Sequence, residues 1–189
     1  MSVFRTVSLG LALMLSVGAP LLVSAQEDDL FSFIPPGGRT LLGELIGGGK
    51  VSADQILSSR RSQGEWLSYV EGLGAGLDPT QQETLAAYLA ATMPASETDG
   101  TLIDTNGVAL PRDGRDLALE YCQSCHIITV VVTQDRTREA WLGTMNKPSH
   151  VEIDTTQAER EALADYLVKN GGIPIDDVPE ELRAGGATY

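Results

Sequence analysis

Apolar residues recur at helical spacing along most of this chain. Near the C-terminus, Leu163, Tyr166 and Leu167 lie three and four positions apart, which places them on one face of a helix. Thr156, followed three residues later by Glu159, predicts the start of that helix as a capping box. The sequence KNGG after Leu167 predicts its end. No stretch shows a strand-length alternation of apolar and polar residues, so we predict an all-α fold.

The helical pattern occurs twice. Three blocks reappear in the same order: GGRTLLGELIGGGKV from Gly37 matches DGRDLALEYCQSCHI from Asp113, RSQGEWLSYV from Arg61 matches RTREAWLGTM from Arg136, and ETLAAYLA from Glu83 matches EALADYLV from Glu161. Three ordered matches predict an internal duplication. In each copy we expect a helix, a helix that carries tryptophan, and a last helix that carries leucine and tyrosine. Asp78-Pro79, an N-cap followed by proline, predicts the start of the last helix of the first copy.

The first 25 residues have the pattern of a cleaved export signal. Arg5 supplies the positive charge, residues 7–17 the apolar core, and VSA before Gln26 the cleavage site. An uncleaved membrane anchor is the alternative, but the apolar run is short for a membrane span. We therefore expect a periplasmic protein with no stable membrane anchor after cleavage.

These signals predict five segments. They are a signal peptide over 1–25, an N-terminal half over 26–93, a linker over 94–111 that is rich in Pro, Gly, Ser and Asp, a C-terminal half over 112–172, and an irregular arm over 173–189. The arm is expected either to pack across the N-terminal half or to stay mobile.

Both cysteines of the chain lie in YCQSCH, residues 121–126. A disulfide across two intervening residues would cross-link almost nothing, and a zinc site with His150 would have a spacing unlike that of a zinc finger. The pattern C-x-x-C-H instead predicts covalent attachment of one haem c through Cys122 and Cys125, with His126 as the proximal iron ligand. Export agrees with this interpretation, because nearby thiols in an oxidising compartment pair unless something consumes them.

The expected distal ligand is Met145, and His150 and Met93 are the alternatives. At the matching positions of the N-terminal half, Val70 stands for Met145, and IGGGK over 46–50 stands for the haem motif. We therefore expect the N-terminal half to bind no haem, and either its side chains fill the core or the pocket shrinks.

Four further side chains, two tryptophans and two arginines, have alternative interpretations. Trp66 and Trp141 are expected to be core residues, and Trp141 could also line the haem pocket. Arg136 and Arg138 could pair with haem propionates, with solvent exposure as the alternative.

The formal net charge of the chain is −13. This sign disfavours nucleic acid as a partner. It is typical of a solvated acidic surface, and also of electrostatic steering toward a basic patch on a redox partner.

With these residues identified, the C-terminal half resembles the class I c-type cytochromes. The two-part chain resembles the duplicated cytochrome modules of periplasmic dehydrogenases, such as quinohaemoprotein amine dehydrogenase and sulfite dehydrogenase. The resemblance covers Arg112 to about Gly171 through a specific motif, and Pro36 to Met93 only through the repeat. It implies two tandem cytochrome c-like helical domains, the first without haem, and one haem c in the second. Gly114 matches the glycine at which the first and last helices of such proteins cross.

The chain departs from this family at two places. Ala118 stands where an aromatic residue commonly packs in the helix crossing, and Tyr121 or Tyr166 could compensate. No proline follows His126, so the usual acceptor of the imidazole N–H is unassigned.

The resemblance implies a monohaem electron-transfer protein that is not itself an enzyme. Its expected partners are a periplasmic dehydrogenase as electron donor and an oxidase or reaction centre as acceptor. One alternative is a haem enzyme whose open sixth coordination site serves peroxide or sulfur chemistry. A sensor or assembly module with a structural haem is the other.

Overall fold

The computed structural model describes residues 30–95 and 102–183, so the predicted signal peptide lies outside the described residues. The elements in chain order are α1 (Gly38–Gly47), α2 (Ala53–Ser58), α3 (Gln63–Gly72), α4 (Pro79–Thr92), β1 (Leu102–Thr105), β2 (Val108–Pro111), α5 (Gly114–Leu117) continued by a π-helical turn (Ala118–Cys122), α6 (Thr129–Val132), α7 (Arg138–Met145), α8 (Pro148–Val151), α9 (Gln157–Asn170), and 3-10 turns at Ile175–Asp177 and Glu180–Leu182. The prediction of a mainly helical fold is confirmed. Within the described part of the chain, no helix combines the length and apolar character needed to cross a membrane.

The helix starts that the sequence predicts are confirmed. Asp78 caps α4 in a capping box, with Pro79 as the first helical residue. Thr156 and Glu159 form the capping box of α9, which ends at Asn170 before Gly171. Local sequence is sufficient here because a cap needs only a side-chain acceptor within three residues of the free backbone N–H groups.

Helices of the two halves start at matched positions. The pairs are α1 and α5 at Gly38 and Gly114, α2 and α6 at Ala53 and Thr129, α3 and α7 at Gln63 and Arg138, and α4 and α9 at Pro79 and Gln157. Helix α8 lies between α7 and α9, whereas the matching residues 73–78 contain no helix.

A β-hairpin occupies residues 102–111 of the segment that the sequence predicts to be a linker. Strands β1 and β2 pair antiparallel, and Thr105 lies opposite Val108 across the turn. Asn106 and Gly107 both have positive φ, 54° and 79°, as a type I′ turn requires. Leu110 on β2 is fully buried in the core cluster of the N-terminal half. The sequence pattern, which shows no strand-length alternation, does not predict these two strands.

Each half contains one close glycine–tyrosine contact between its first and last long helices. A Cβ atom added to Gly38 would lie 2.2 Å from Cβ of Tyr88, and one added to Gly114 would lie 2.2 Å from Cβ of Tyr166. The first and last long helices of each half therefore approach so closely that only glycine fits. Tyr166 is thus the aromatic residue that packs against Gly114 at the crossing in the C-terminal half.

The same tyrosines join the two halves. The hydroxyl of Tyr88 donates to the carbonyl of Pro111 at 2.8 Å, and the hydroxyl of Tyr166 donates to the carbonyl of Pro35 at 2.6 Å. Each half thus reaches a proline that lies three residues before the first helical residue of the other half. Such a reciprocal pair of contacts is typical of a two-fold interface, here within one chain.

One buried carboxylate caps helices in both halves. Asp113 accepts a hydrogen bond from the backbone N–H of Asp116 at 2.9 Å in α5, and another from that of Arg39 at 2.8 Å in α1. Gly37, the N-cap of α1, has no side chain, and a Cβ there would lie 2.0 Å from Oδ2 of Asp113. Nε and Nη2 of Arg39 each donate to the Asp116 carboxylate at 2.6 Å, which adds a bidentate ion pair.

The described part of the C-terminal arm, residues 173–183, packs on the C-terminal half. The backbone N–H groups of Gly172 and Ile173 donate to the carbonyls of Gln134 and Val132, each at 3.1 Å. The Thr129 hydroxyl in α6 donates to the carbonyl of Leu182 at 2.6 Å, and Val178 is buried. The arm over residues 173–183 therefore covers α6.

Candidate cofactor cavity in the C-terminal half

A cavity of about 930 Å³ lies within the C-terminal half. Its volume is at the upper end of the ~300–1,000 Å³ typical of small-molecule and cofactor sites. Its lining includes Leu117, Tyr121, Cys122, Cys125, His126, Val130, Val131, Arg136, Trp141, Met145, Ser149, His150, Ile153, Arg160, Leu163 and Leu167. The four site residues that the sequence predicts therefore border one cavity: Cys122, Cys125, His126 and Met145.

The cysteine motif follows directly from α5. The helix widens into a π-turn over Ala118–Cys122, a feature that is often found at functional sites. The backbone N–H of His126 then donates to the carbonyl of Cys122 at 3.0 Å, which folds the motif into one turn. Both thiols are free, with Cys122 partly buried and Cys125 exposed. Burial, together with the neighbouring Cys125, raises the pKa of the Cys122 thiol to about 11.

Two of the three candidate distal ligands border the cavity. Met145 is the last residue of α7, and His150 lies in α8. The imidazole ring centres of His126 and His150 are 6.3 Å apart, with an angle of 30° between the ring planes. Met93 is instead buried in the core of the N-terminal half and is absent from the cavity lining.

In the N-terminal half, side chains fill the space at the matching place. Trp66 is 0 % exposed and packs in a cluster with Leu41, Leu42, Leu85 and Leu89. Val70, which matches Met145, is also buried there. This filled core is one of the two outcomes that the sequence left open.

Both tryptophans are buried, as the sequence predicts, but their surroundings differ. The guanidinium carbon of Arg61 lies 4.6 Å from the Trp66 ring centre, and that of Arg136 lies 4.7 Å from the Trp141 ring centre. Neither indole N–H has a hydrogen-bond partner among the described residues. Of these two arginine–tryptophan pairs, only the pair Arg136 and Trp141 borders the cavity. Both side chains could donate a hydrogen bond there to a carboxylate of a bound group.

Arg138 has a different place. Its Nε donates to Asp165 at 2.6 Å, and its Nη2 lies 3.7 Å from Glu161, both on α9. The guanidinium is thus engaged at the surface and is absent from the cavity lining.

The donor set fits haem. A haem iron needs only two ligands from the protein because the porphyrin nitrogens supply the rest, and two thiols suffice for covalent attachment. No group of three or more His, Cys, Asp and Glu side chains within 30–95 and 102–183 is arranged to hold a metal ion. The largely apolar walls suit a flat, hydrophobic macrocycle.

Comparisons of this chain with protein-family models, with curated proteins and with solved structures found no match.

Proposed function

We propose that this protein is an exported monohaem c-type cytochrome that transfers electrons. In this proposal the chain consists of two tandem cytochrome c-like domains, and only the second binds haem. One observation supports this function above all others: a cavity of about 930 Å³ is bordered by the only two cysteines of the chain and by His126. Native interiors are close-packed, so a space of this size indicates an occupant.

Each residue of the motif has a defined task in the proposal. Cys122 and Cys125 hold the haem covalently, and the imidazole of His126 binds the iron from one face. Bound haem supplies a reversible one-electron couple between ferrous and ferric iron. Burial in an apolar cavity and a second protein ligand keep water and small molecules away from the metal.

The surface beside the motif supports a transient redox partner. Ile127, next to His126, is 42 % exposed, and Val151, next to His150, is 56 % exposed. Exposed apolar side chains near the cofactor suit a small, short-lived interface. The acidic chain, with a net charge of −13, would steer toward a basic surface on that partner. A periplasmic dehydrogenase as donor, with an oxidase or reaction centre as acceptor, is the partner pair that we propose.

Spectroscopy of the full-length protein, expressed with a cytochrome c maturation system, tests this proposal. We expect one covalently bound haem, a low-spin spectrum in both oxidation states, a reversible one-electron couple and no carbon monoxide binding to the reduced protein. Rapid carbon monoxide binding with a high-spin spectrum would instead indicate an open site, as in the haem-enzyme alternative. A protein without haem would contradict the proposal altogether.

A further inference from the structure

The C-terminal half has an expanded segment at the cavity. Eleven residues, 146–156, separate α7 from α9, whereas six residues, 73–78, separate the matching α3 from α4. The expanded segment contains α8 and His150, for which the N-terminal half has no equivalent. The difference between the halves is thus concentrated on the cavity wall that holds the candidate distal ligands.

Arg160 fixes this segment in place. It is 8 % exposed, and its guanidinium donates to the carbonyls of Met145 at 2.5 Å, Val151 at 3.4 Å and Ile153 at 3.0 Å. Two of these carbonyls lie at the C-terminal ends of α7 and α8, where helix carbonyls lack intrahelical partners and favour a cation. The matching residue of the N-terminal half, Gln82, reaches a single carbonyl, that of Leu77.

The imidazole of His150 lies near that of His126, with an angle of 30° between the ring planes. Two imidazoles that bind one metal ion from opposite sides, at about 2.0–2.1 Å each, have ring centres roughly 6–6.5 Å apart. The observed separation is 6.3 Å. The hydroxyl of Ser149 lies 3.0 Å from Nδ1 of His150. A metal-bound histidine commonly hydrogen-bonds through its second nitrogen, and here that leaves Nε2 for the metal.

We infer that His150, not Met145, is the distal ligand of the haem iron, and that Arg160 is the positioning residue that holds its segment over the cavity. This inference rests on the proposed function. Met145 then forms an apolar wall one turn after Trp141, a usual role for methionine in a core. The pair of imidazoles, not a thioether, accounts for the ring geometry.

The ligand assignment is tested on the mature haem-loaded protein with near-infrared magnetic circular dichroism of the ferric state. Imidazole–imidazole and imidazole–thioether coordination give charge-transfer bands at different energies, so the wild-type protein needs no substitution. We expect the bis-imidazole band. A thioether band would overturn the inference.

Substitutions give an independent test. In Met145→Leu we expect the low-spin spectrum to be retained, and in His150→Ala we expect a high-spin spectrum with carbon monoxide binding to the reduced protein. A loss of the low-spin spectrum in Met145→Leu would overturn the assignment, and so would a retained low-spin spectrum in His150→Ala. Far-UV circular dichroism and the covalently bound haem show that each variant is folded.

Arg160→Gln, which copies Gln82 of the N-terminal half, tests the positioning role. Loss of one hydrogen bond to a charged group corresponds to about a tenfold change in an equilibrium. We therefore expect carbon monoxide binding to the reduced protein to rise at least about tenfold, with partial rescue in Arg160→Lys. Arg138→Gln removes an exposed cation from the same half and should leave binding unchanged. Equal binding in Arg160→Gln and Arg138→Gln would contradict the positioning role.

The two proposals fail in different ways. Wild-type protein that carries no haem would end the proposed function. Wild-type protein that carries haem with a thioether ligand would end only the further inference.

Discussion

The two halves of this protein share four matched helices and two kinds of local contact, yet the core of one half is filled and that of the other contains a cavity. Each has an arginine over a buried tryptophan and a glycine against a tyrosine. In the N-terminal half, leucine side chains and Trp66 close the core. In the C-terminal half, the matching space is a cavity bordered by two thiols and two imidazoles. The same arrangement of helices therefore surrounds a filled core in one half and a cavity in the other.

The largest expected effect is loss of the cofactor. In the double variant Cys122→Ser and Cys125→Ser, we expect no covalently bound haem, because a hydroxyl does not form the thioether bond. Absorbance of the denatured protein after solvent extraction of free haem is the measurement. Ser124→Ala, inside the same motif, is the control and should retain haem. Covalent haem in the double variant would contradict the attachment site.

The two tryptophans should respond differently to removal. We expect Trp66→Ala to lower the free energy of unfolding by about 3–5 kcal/mol, because it empties a filled core. The haem absorption spectrum should stay unchanged in that variant. In Trp141→Ala we expect the haem spectrum to shift, because this ring borders the cavity. Chemical denaturation and absorption spectra of both variants are the measurements. A shift of the haem absorption spectrum in Trp66→Ala would contradict the predicted difference.

The two helix crossings should respond alike. Gly38→Ala and Gly114→Ala each place a Cβ 2.2 Å from a tyrosine Cβ. We expect each to lower the free energy of unfolding by about 1–3 kcal/mol, the usual range for overpacking. Gly64→Ala in α3 is the control, because its Cβ would meet nothing within 4 Å. A tolerated change at only one of the two crossings would show that the halves are not equivalent there.

The smallest expected effect is a pH dependence that belongs to one half only. Burial raises the pKa of Asp113 to about 6, whereas Gly37 has no titratable group at the matching position. An unfolded aspartate titrates near pH ~3.9, so the folded protein binds more protons between pH 4 and 6. The contribution of this group to stability therefore falls as the pH rises through that window, by less than about 3 kcal/mol.

Asp113→Asn keeps one of the two acceptor oxygens of the cap and should remove this fall. Urea denaturation of wild type and variant at several pH values between 4 and 7 is the measurement. An unchanged pH dependence in the variant would show that another group is responsible.

Features set by neighbouring residues could be predicted from the sequence. The capping boxes, the end of α9 and the burial of both tryptophans depend on short patterns. Asn106-Gly107 is also a strong local signal for a hairpin turn. The hairpin escaped prediction because its strands have four residues each, too few to show an alternation.

Features set by distant residues could not be predicted. The Asp113 cap on α1 joins residues that are 74 positions apart. The inferred choice of His150 over Met145 as distal ligand depends on ring geometry and on Arg160. Neither can be read from the spacing of residues along the chain. The direction in which the C-terminal arm packs depends on its contacts with α6, and no local pattern in the arm specifies them.

Peptide mass mapping of the mature protein tests the central claim most directly. We expect one haem on the peptide that contains Cys122 and Cys125, and none on peptides from residues 26–93. Unmodified thiols, or a disulfide between them, in a colourless protein would contradict it.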